Sequence, residues 1–175
     1  MSDSATQQRP SFKGLSWHRD QYYSFFIPLD WHKFEWNDNR NGVIYGPDSA
    51  DPQTVFAVEV TDAGLKFTPD DLDALAEGFF TGIEDLPDVK IETRNQRVVA
   101  ALLTLEAKYT YRDQEMIRKR WTRVLYHQTR QVAMTAQGAT PEKYDYWLPM
   151  FFEAMMTAKV HNTRPEPDMG DTPAI

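Results

Sequence analysis

Residues 100–112 alternate almost without a break, with Ala101, Leu103, Leu105, Ala107, Tyr109 and Tyr111 on one parity and Thr104, Glu106, Lys108, Thr110 and Arg112 on the other. A period of two sends the first set to one side of a pleated strand, so this segment needs a sheet with that face buried. Its neighbours read the same way. Strands are predicted at 89–98, 115–127 and 129–137, and Arg112-Asp113-Gln114-Glu115 supplies a hairpin turn. Connections this short leave no room for crossovers, so the sheet they build is antiparallel.

Upstream, an aromatic strand from Tyr22 to Ile27 is stopped by Pro28, and Leu29-Asp30-Trp31 follows as a turn. Short strands are expected at Lys33 to Trp36 and Gly42 to Tyr45, separated by the turn-rich run Asn37 to Gly42, and a half-buried strand at Thr54 to Thr61. The period then changes. Leu72, Leu75, Ala76, Phe79, Phe80 and Ile83 form one stripe of a helix, with Thr68 as its cap and Pro69 at its first position. A closing helix carries Tyr144, Trp147, Leu148, Phe151 and Met155, introduced by Thr140 and Pro141. Pro149 interrupts it, so this helix is expected either to kink at Pro149 or to begin there after a short turn over 141–147. The order β-β-β-β-α-β-β-β-β-α predicts an α+β fold, a central antiparallel sheet covered by helices.

The chain has 175 residues, enough for one domain with a core of its own. Nothing divides residues 14–160, which read as a single domain. Residues 1–13 and 161–175 read as disordered tails, the second carrying three prolines and little to bury. No apolar run follows the basic residues near the start, and no stretch approaches the ~18 residues of a membrane span. The expectation is a cytoplasmic protein.

Charge is unevenly spread. Residues 1–89 hold 6 basic and 16 acidic side chains, residues 90–130 hold 10 and 4, and residues 131–175 hold 3 and 6. An acidic chain with one basic segment is a poor match to the phosphate backbone, and no nucleic-acid binding is expected. The chain has no cysteine, which excludes disulfides, thiolate metal sites and a thiol nucleophile. Its four histidines, His18, His32, His127 and His161, have no metal-ligand spacing, and no metal or cofactor is expected. Serine-hydrolase, dinucleotide, phosphate-loop and zinc-protease motifs are all missing. The carboxylates Asp70, Asp71, Asp73 and Glu77 are explained by a helix start and an outer helix face.

One segment stands out. Ile117-Arg118-Lys119-Arg120-Trp121-Thr122-Arg123 interleaves four cations with an aromatic on a predicted strand. It reads either as a surface for an anionic ligand or acidic partner, or as a solvated sheet face on which Arg118 and Arg120 pair with Glu106 and its neighbours. Trp31 and the other tryptophans likewise read either as core or as the rim of a binding groove. Arg118, Arg120, Trp121, Arg123 and Trp31 are therefore the candidate binding residues, and no catalytic residue is singled out.

The segment Tyr23-Ser24-Phe25-Phe26-Ile27-Pro28-Leu29-Asp30-Trp31 resembles the opening of the PsbP-like superfamily, a strand ending in an aromatic-Pro-Trp punctuation. The likeness continues through Val55-Phe56-Ala57-Val58-Glu59-Val60, the mid-chain helix, the run of strands and the closing Phe151-Phe152-Glu153-Ala154-Met155-Met156-Thr157, over residues 16–160. What it implies is an α-β-α sandwich used mostly for binding, with no catalytic motif to carry over. The expectation is thus a non-enzymatic binding or adaptor domain for a protein partner or a small anionic ligand. The alternatives are a chaperone for an apolar client segment, and an enzyme acting on a small acid through Arg and a Tyr or His. Open strand edges leave room for a homodimer by edge pairing.

Overall fold

The computed structural model describes residues 9–11 and 13–162. The tails expected at 1–13 and 161–175 fall mostly outside the described residues. Ten strands and two helices follow one another as β1 (Leu15–Arg19), β2 (Tyr23–Pro28), β3 (His32–Phe34), β4 (Gly42–Gly46), β5 (Val55–Asp62), α1 (Leu72–Glu84), β6 (Lys90–Val99), β7 (Leu102–Asp113), β8 (Met116–His127), β9 (Arg130–Gly138), α2 (Pro141–Thr157) and β10 (Lys159–Val160). They form two antiparallel sheets, a seven-stranded one in the order β3-β4-β5-β9-β8-β7-β6 and a three-stranded one in the order β1-β2-β10.

The period-two segments dictate the large sheet. Even-numbered residues of β8 and odd-numbered residues of β7 share one face, where Leu103, Leu105, Val124 and Tyr126 meet Leu72, Leu75, Ala76, Phe79 and Phe80 of α1. Further along, Ala107, Tyr109 and Tyr111 meet Ile83 of the same helix. The apolar stripe legible in residues 72–83 is the stripe that packs. A 3-10 turn at Pro69–Asp71 leads into α1, and the Asp71 carboxylate accepts from the Thr68 backbone N–H at 2.7 Å and its hydroxyl at 3.0 Å.

The opposite face is covered by the small sheet and α2. Phe25 and Ile27 of β2, Phe56 and Val58 of β5, Trp121 and Leu125 of β8, Met134 and Ala136 of β9, and Tyr144, Phe151 and Met155 of α2 make one continuous core. With α1 on one side and α2 on the other, the large sheet is the centre of an α-β-α sandwich. Gly138 lets α2 start against β9, since a Cβ there would fall 2.3 Å from the Tyr144 nitrogen.

Three elements differ from the sequence expectation. β1 and β10 were not foreseen, and with β2 they make a separate sheet. Trp36 leaves the strand predicted to contain it, because β3 ends at Phe34 and residues 35–41 form the loop back to β4. The closing helix runs from Pro141 to Thr157 with Pro149 inside it, which excludes one of its two expected forms, the start at Pro149. Pro149 and Asp145, four residues earlier, are both on the solvent side, so the carbonyl that loses its helical donor can be met by water. The Thr140 hydroxyl accepts from the Lys143 N–H at 3.3 Å and caps the start.

His18 ties the small sheet to the large one. Its ring stacks on Phe25 and Tyr23 with centroids 5.0 and 5.6 Å away, and Nδ1 lies 2.9 Å from the Tyr45 hydroxyl. Burial, and then the charge of Lys33, hold its pKa below the ordinary value of 6.5, against a smaller opposing effect of Asp20. The unfolded chain therefore takes up this proton before the folded one does. Stability is predicted to fall as pH drops from about 7 to about 5. In a His18→Gln variant this slope is expected to flatten, as read by melting temperature against pH. An equal slope in both proteins would contradict it.

Candidate functional site

α1 crosses only the β6, β7 and β8 side of the large sheet. Beside it the same face stays open over β4, β5 and β9, and a groove of about 300 Å³ lies there. The ladder registers build its floor row by row. Glu59 lies opposite Ala133, Ile44 opposite Ala57 and Ala57 opposite Thr135, then Val55 opposite Gln137 and Gln137 opposite Arg120. The floor is therefore short side chains with one hydroxyl, and the charges stand at its two ends.

At one end the β3–β4 loop supplies the wall. Trp36 faces the groove, the Arg40 guanidinium lies 5.1 Å from its ring centroid, and Arg40 reaches Glu59 at 3.8 Å. At the other end Arg120 lies over the Tyr111 ring, 4.8 Å from its centroid. Its Nε donates to the Gln137 Oε1 at 2.9 Å, and its Nη2 donates to the Tyr111 hydroxyl at 2.5 Å and also to the Gln137 Oε1. The Tyr111 hydroxyl donates to the same Gln137 oxygen at 3.1 Å. Burial pushes the Tyr111 pKa up, partly offset by Arg120, so the phenol stays protonated and able to donate. Gln137 is fixed in turn, because its amide nitrogen donates to the Gln53 carbonyl at 2.9 Å. Among the described residues, no carboxylate pairs with Arg120.

The other sequence candidates are placed elsewhere. Arg118 shares the face of Arg120, but it donates to Asp113 at 2.6 Å and to the Ala139 carbonyl at 3.2 Å. Arg123 has the opposite parity and points to the α2 side. There it donates to the Met155 carbonyl at 2.9 Å, in the last turn of α2, with Glu106 at 3.6 Å. Trp121 is 2 % exposed in the core on that side, beneath Lys108 at 4.3 Å from its ring centroid. Trp31, 8 % exposed, packs edge-on against Trp147 and Phe151. The structure thus brings only Arg118 and Arg120 to one face, and only Arg120 to the groove. Arg40, Tyr111, Thr135 and Gln137 were not singled out by the sequence, and of the tryptophans read as core or groove rim it is Trp36, not Trp31, that lines the groove. The period-two rule could have separated Arg123 from Arg120, but nothing local in the sequence marks a glutamine on β9 as the anchor of an arginine on β8.

No family model matches the sequence, and no curated protein matches it either. Solved structures do. The cyanobacterial PsbP (CyanoP) of Synechocystis sp. PCC 6803 matches with a TM-score of 0.59 at 12% identity, over 92% of this chain and 98% of that one. The chain has the PsbP-like fold. LpqN, a protein involved in cell envelope biogenesis of Mycobacterium tuberculosis, matches with a TM-score of 0.59 at 12% identity over 85% of this chain and 91% of its own. PA94 of Pseudomonas aeruginosa, a protein of unknown function, matches with a TM-score of 0.53 at 18% identity over 86% and 98%. The PsbP-like neighbours share architecture with this chain. Among the described residues, no helix is long and apolar enough to cross a membrane.

The Arg120 network predicts a stability cost for its hub. Gln137→Leu removes the acceptor of Arg120 and Tyr111 at once and should destabilise the protein by about 1–3 kcal/mol. Tyr111→Phe, which keeps the ring under Arg120, should cost about 0.5–1.5 kcal/mol. Urea denaturation measures both, and a Gln137→Leu protein as stable as wild type would show that the network is not formed.

Proposed function

We propose that this protein is a non-enzymatic binding domain whose ligand seats on the open part of the large sheet, in the groove between the Trp36–Arg40 wall and Arg120. The observation that carries the reading is a half-buried cation held in place by neutral groups at the edge of a groove of ligand size. Holding Arg120 by Gln137 and Tyr111 fixes its position without cancelling its charge. That arrangement leaves the charge of Arg120 available and suits recognition of a negative group.

Binding is favoured over catalysis by the lining itself. Its side chains include no histidine, lysine, serine or cysteine, and its one carboxylate, Glu59, lies beside Arg40. Thr135 has no base beside it in the groove lining. A nucleophile with an activating partner, or an acid and base pair, has no place in such a set.

An adaptor for an apolar client has separate support. Trp17 and Phe26, directly opposite each other on β1 and β2, stack at 6.4 Å and remain 51 % and 39 % exposed. The two readings use different surfaces and can be separated by native mass spectrometry of protein purified gently from its host. The groove reading predicts a retained mass that disappears in Ala133→Trp, which fills the floor, and persists when Trp17 and Phe26 are both replaced by Ser. The reverse pattern would favour the client adaptor and contradict the groove.

A further inference from the structure

The groove has a polarity that specifies its ligand. Along β5 and β9 the charged end at Glu59 and Arg40 is about 13 Å of strand from the row that holds Arg120, with the Ile44–Ala57–Thr135 row between them and Ala133 and Val55 in the two end rows. Three of the five guanidinium N–H groups of Arg120 are committed to Gln137 and Tyr111. The two on Nη1 have no acceptor among the described residues. Thr135 lies on the same face, two residues from Gln137 and diagonal to Arg120 across the β8–β9 ladder, so its hydroxyl borders the same corner.

We infer that the groove binds a small monocarboxylate with an apolar body, its carboxylate meeting Arg120 Nη1 and the Thr135 hydroxyl and its body lying over Ala57 and Ala133. This rests on the reading of the groove as the binding site. A single free cation matches a single negative charge. A doubly charged phosphate would leave one charge uncompensated in a groove that also contains Glu59. The floor between the two charged ends offers no donor but Thr135, and the unpartnered Trp36 Nε1 of the wall is buried at the far end, whereas alkyl or aryl carbon is matched by the floor's Ala, Ile and Val side chains. Tyr111 and Gln137 act as positioning residues, because they contact Arg120 and not the ligand.

The test is titration of the full chain with hexanoate and phenylacetate, followed by amide chemical shifts in isotope-labelled protein. Hexanamide and hexyl phosphate serve as the neutral and the more highly charged comparison. The expected result is a saturable shift of the amides of Ala57, Ala133, Thr135 and Gln137 with either carboxylate, with hexanamide and hexyl phosphate at least about tenfold weaker. Arg120→Gln should weaken the carboxylates by about tenfold or more, and Arg120→Lys, which keeps the charge but loses the fork, should fall between. Melting temperatures of the variants show whether they remain folded. Thr135→Val, which is milder, should also weaken binding and keeps the test open if the Arg120 variants do not fold. Equal affinity for hexanamide, preference for hexyl phosphate, or unchanged affinity in Arg120→Gln would overturn the carboxylate assignment while leaving the groove as a binding site. Shifts confined to other surfaces, or none with any probe, would also overturn the assignment. If, in addition, Ala133→Trp left a host-derived retained mass untouched, the groove reading would fall with it.

Discussion

A seven-stranded sheet has two faces, each about 30 Å across the strands, and a single helix is about 10 Å wide. Every other feature of this molecule follows from how that area is covered. One face receives α2 together with a second sheet, and the largest fully buried side chains, Trp121, Phe25, Phe56 and Phe151 among them, close the space between the layers. The other face receives α1 alone, thirteen residues long, which spans the β6–β8 side and stops. The strands left over carry small residues and a few polar ones on that face, and the groove is that uncovered strip.

The strip tolerates exposure because of its composition. Ala57 and Thr135 present little apolar area to water, and Ala133 is partly buried against the α1 cluster at the edge of the strip, so leaving the strip open costs far less than exposing the Leu, Phe and Tyr residues under α1. At its boundary with α1 the sheet changes character within one strand. Val124 and Tyr126 of β8 are buried with the helix side chains, and Arg120, on the same parity, is half-buried at the groove. The Tyr111–Gln137 pair sits at that boundary and supplies the hydrogen bonds a half-buried guanidinium needs, in place of a carboxylate.

Local chemistry made much of this legible. The alternation in residues 103–111 and the stripe in 72–83 act within one element and appear in the structure as read, while Ala101 falls in the turn before β7 and Thr68-Pro69 opens the 3-10 turn that leads into α1. What the sequence hid is non-local. β2 has β1 on one side and β10 on the other, and Val160 pairs with Tyr23 across more than 130 residues, so no period within either segment announces the small sheet. β10 is only two residues long and β1 is half exposed, which leaves both without an apolar pattern. The site divides the same way. Arg120 was visible as part of a basic run, but its neighbours in that run have other partners, Asp113 for Arg118 and Met155 for Arg123. The residues that set Arg120 apart come from β7 and β9, and Trp36 joins the wall because the chain leaves β3 two residues before it.

The large sheet is open over Ala57 and closed over Ala107. Because the chain has no cysteine, each position can be read by itself. Ala57→Cys and Ala107→Cys variants of the full chain, reacted with a water-soluble thiol reagent, give the rate of access at the groove floor and beneath α1. The account predicts fast modification at 57 and, at 107, modification only as fast as α1 lifts or the protein unfolds. Equal protection at both positions would mean that the face is covered throughout and would contradict it.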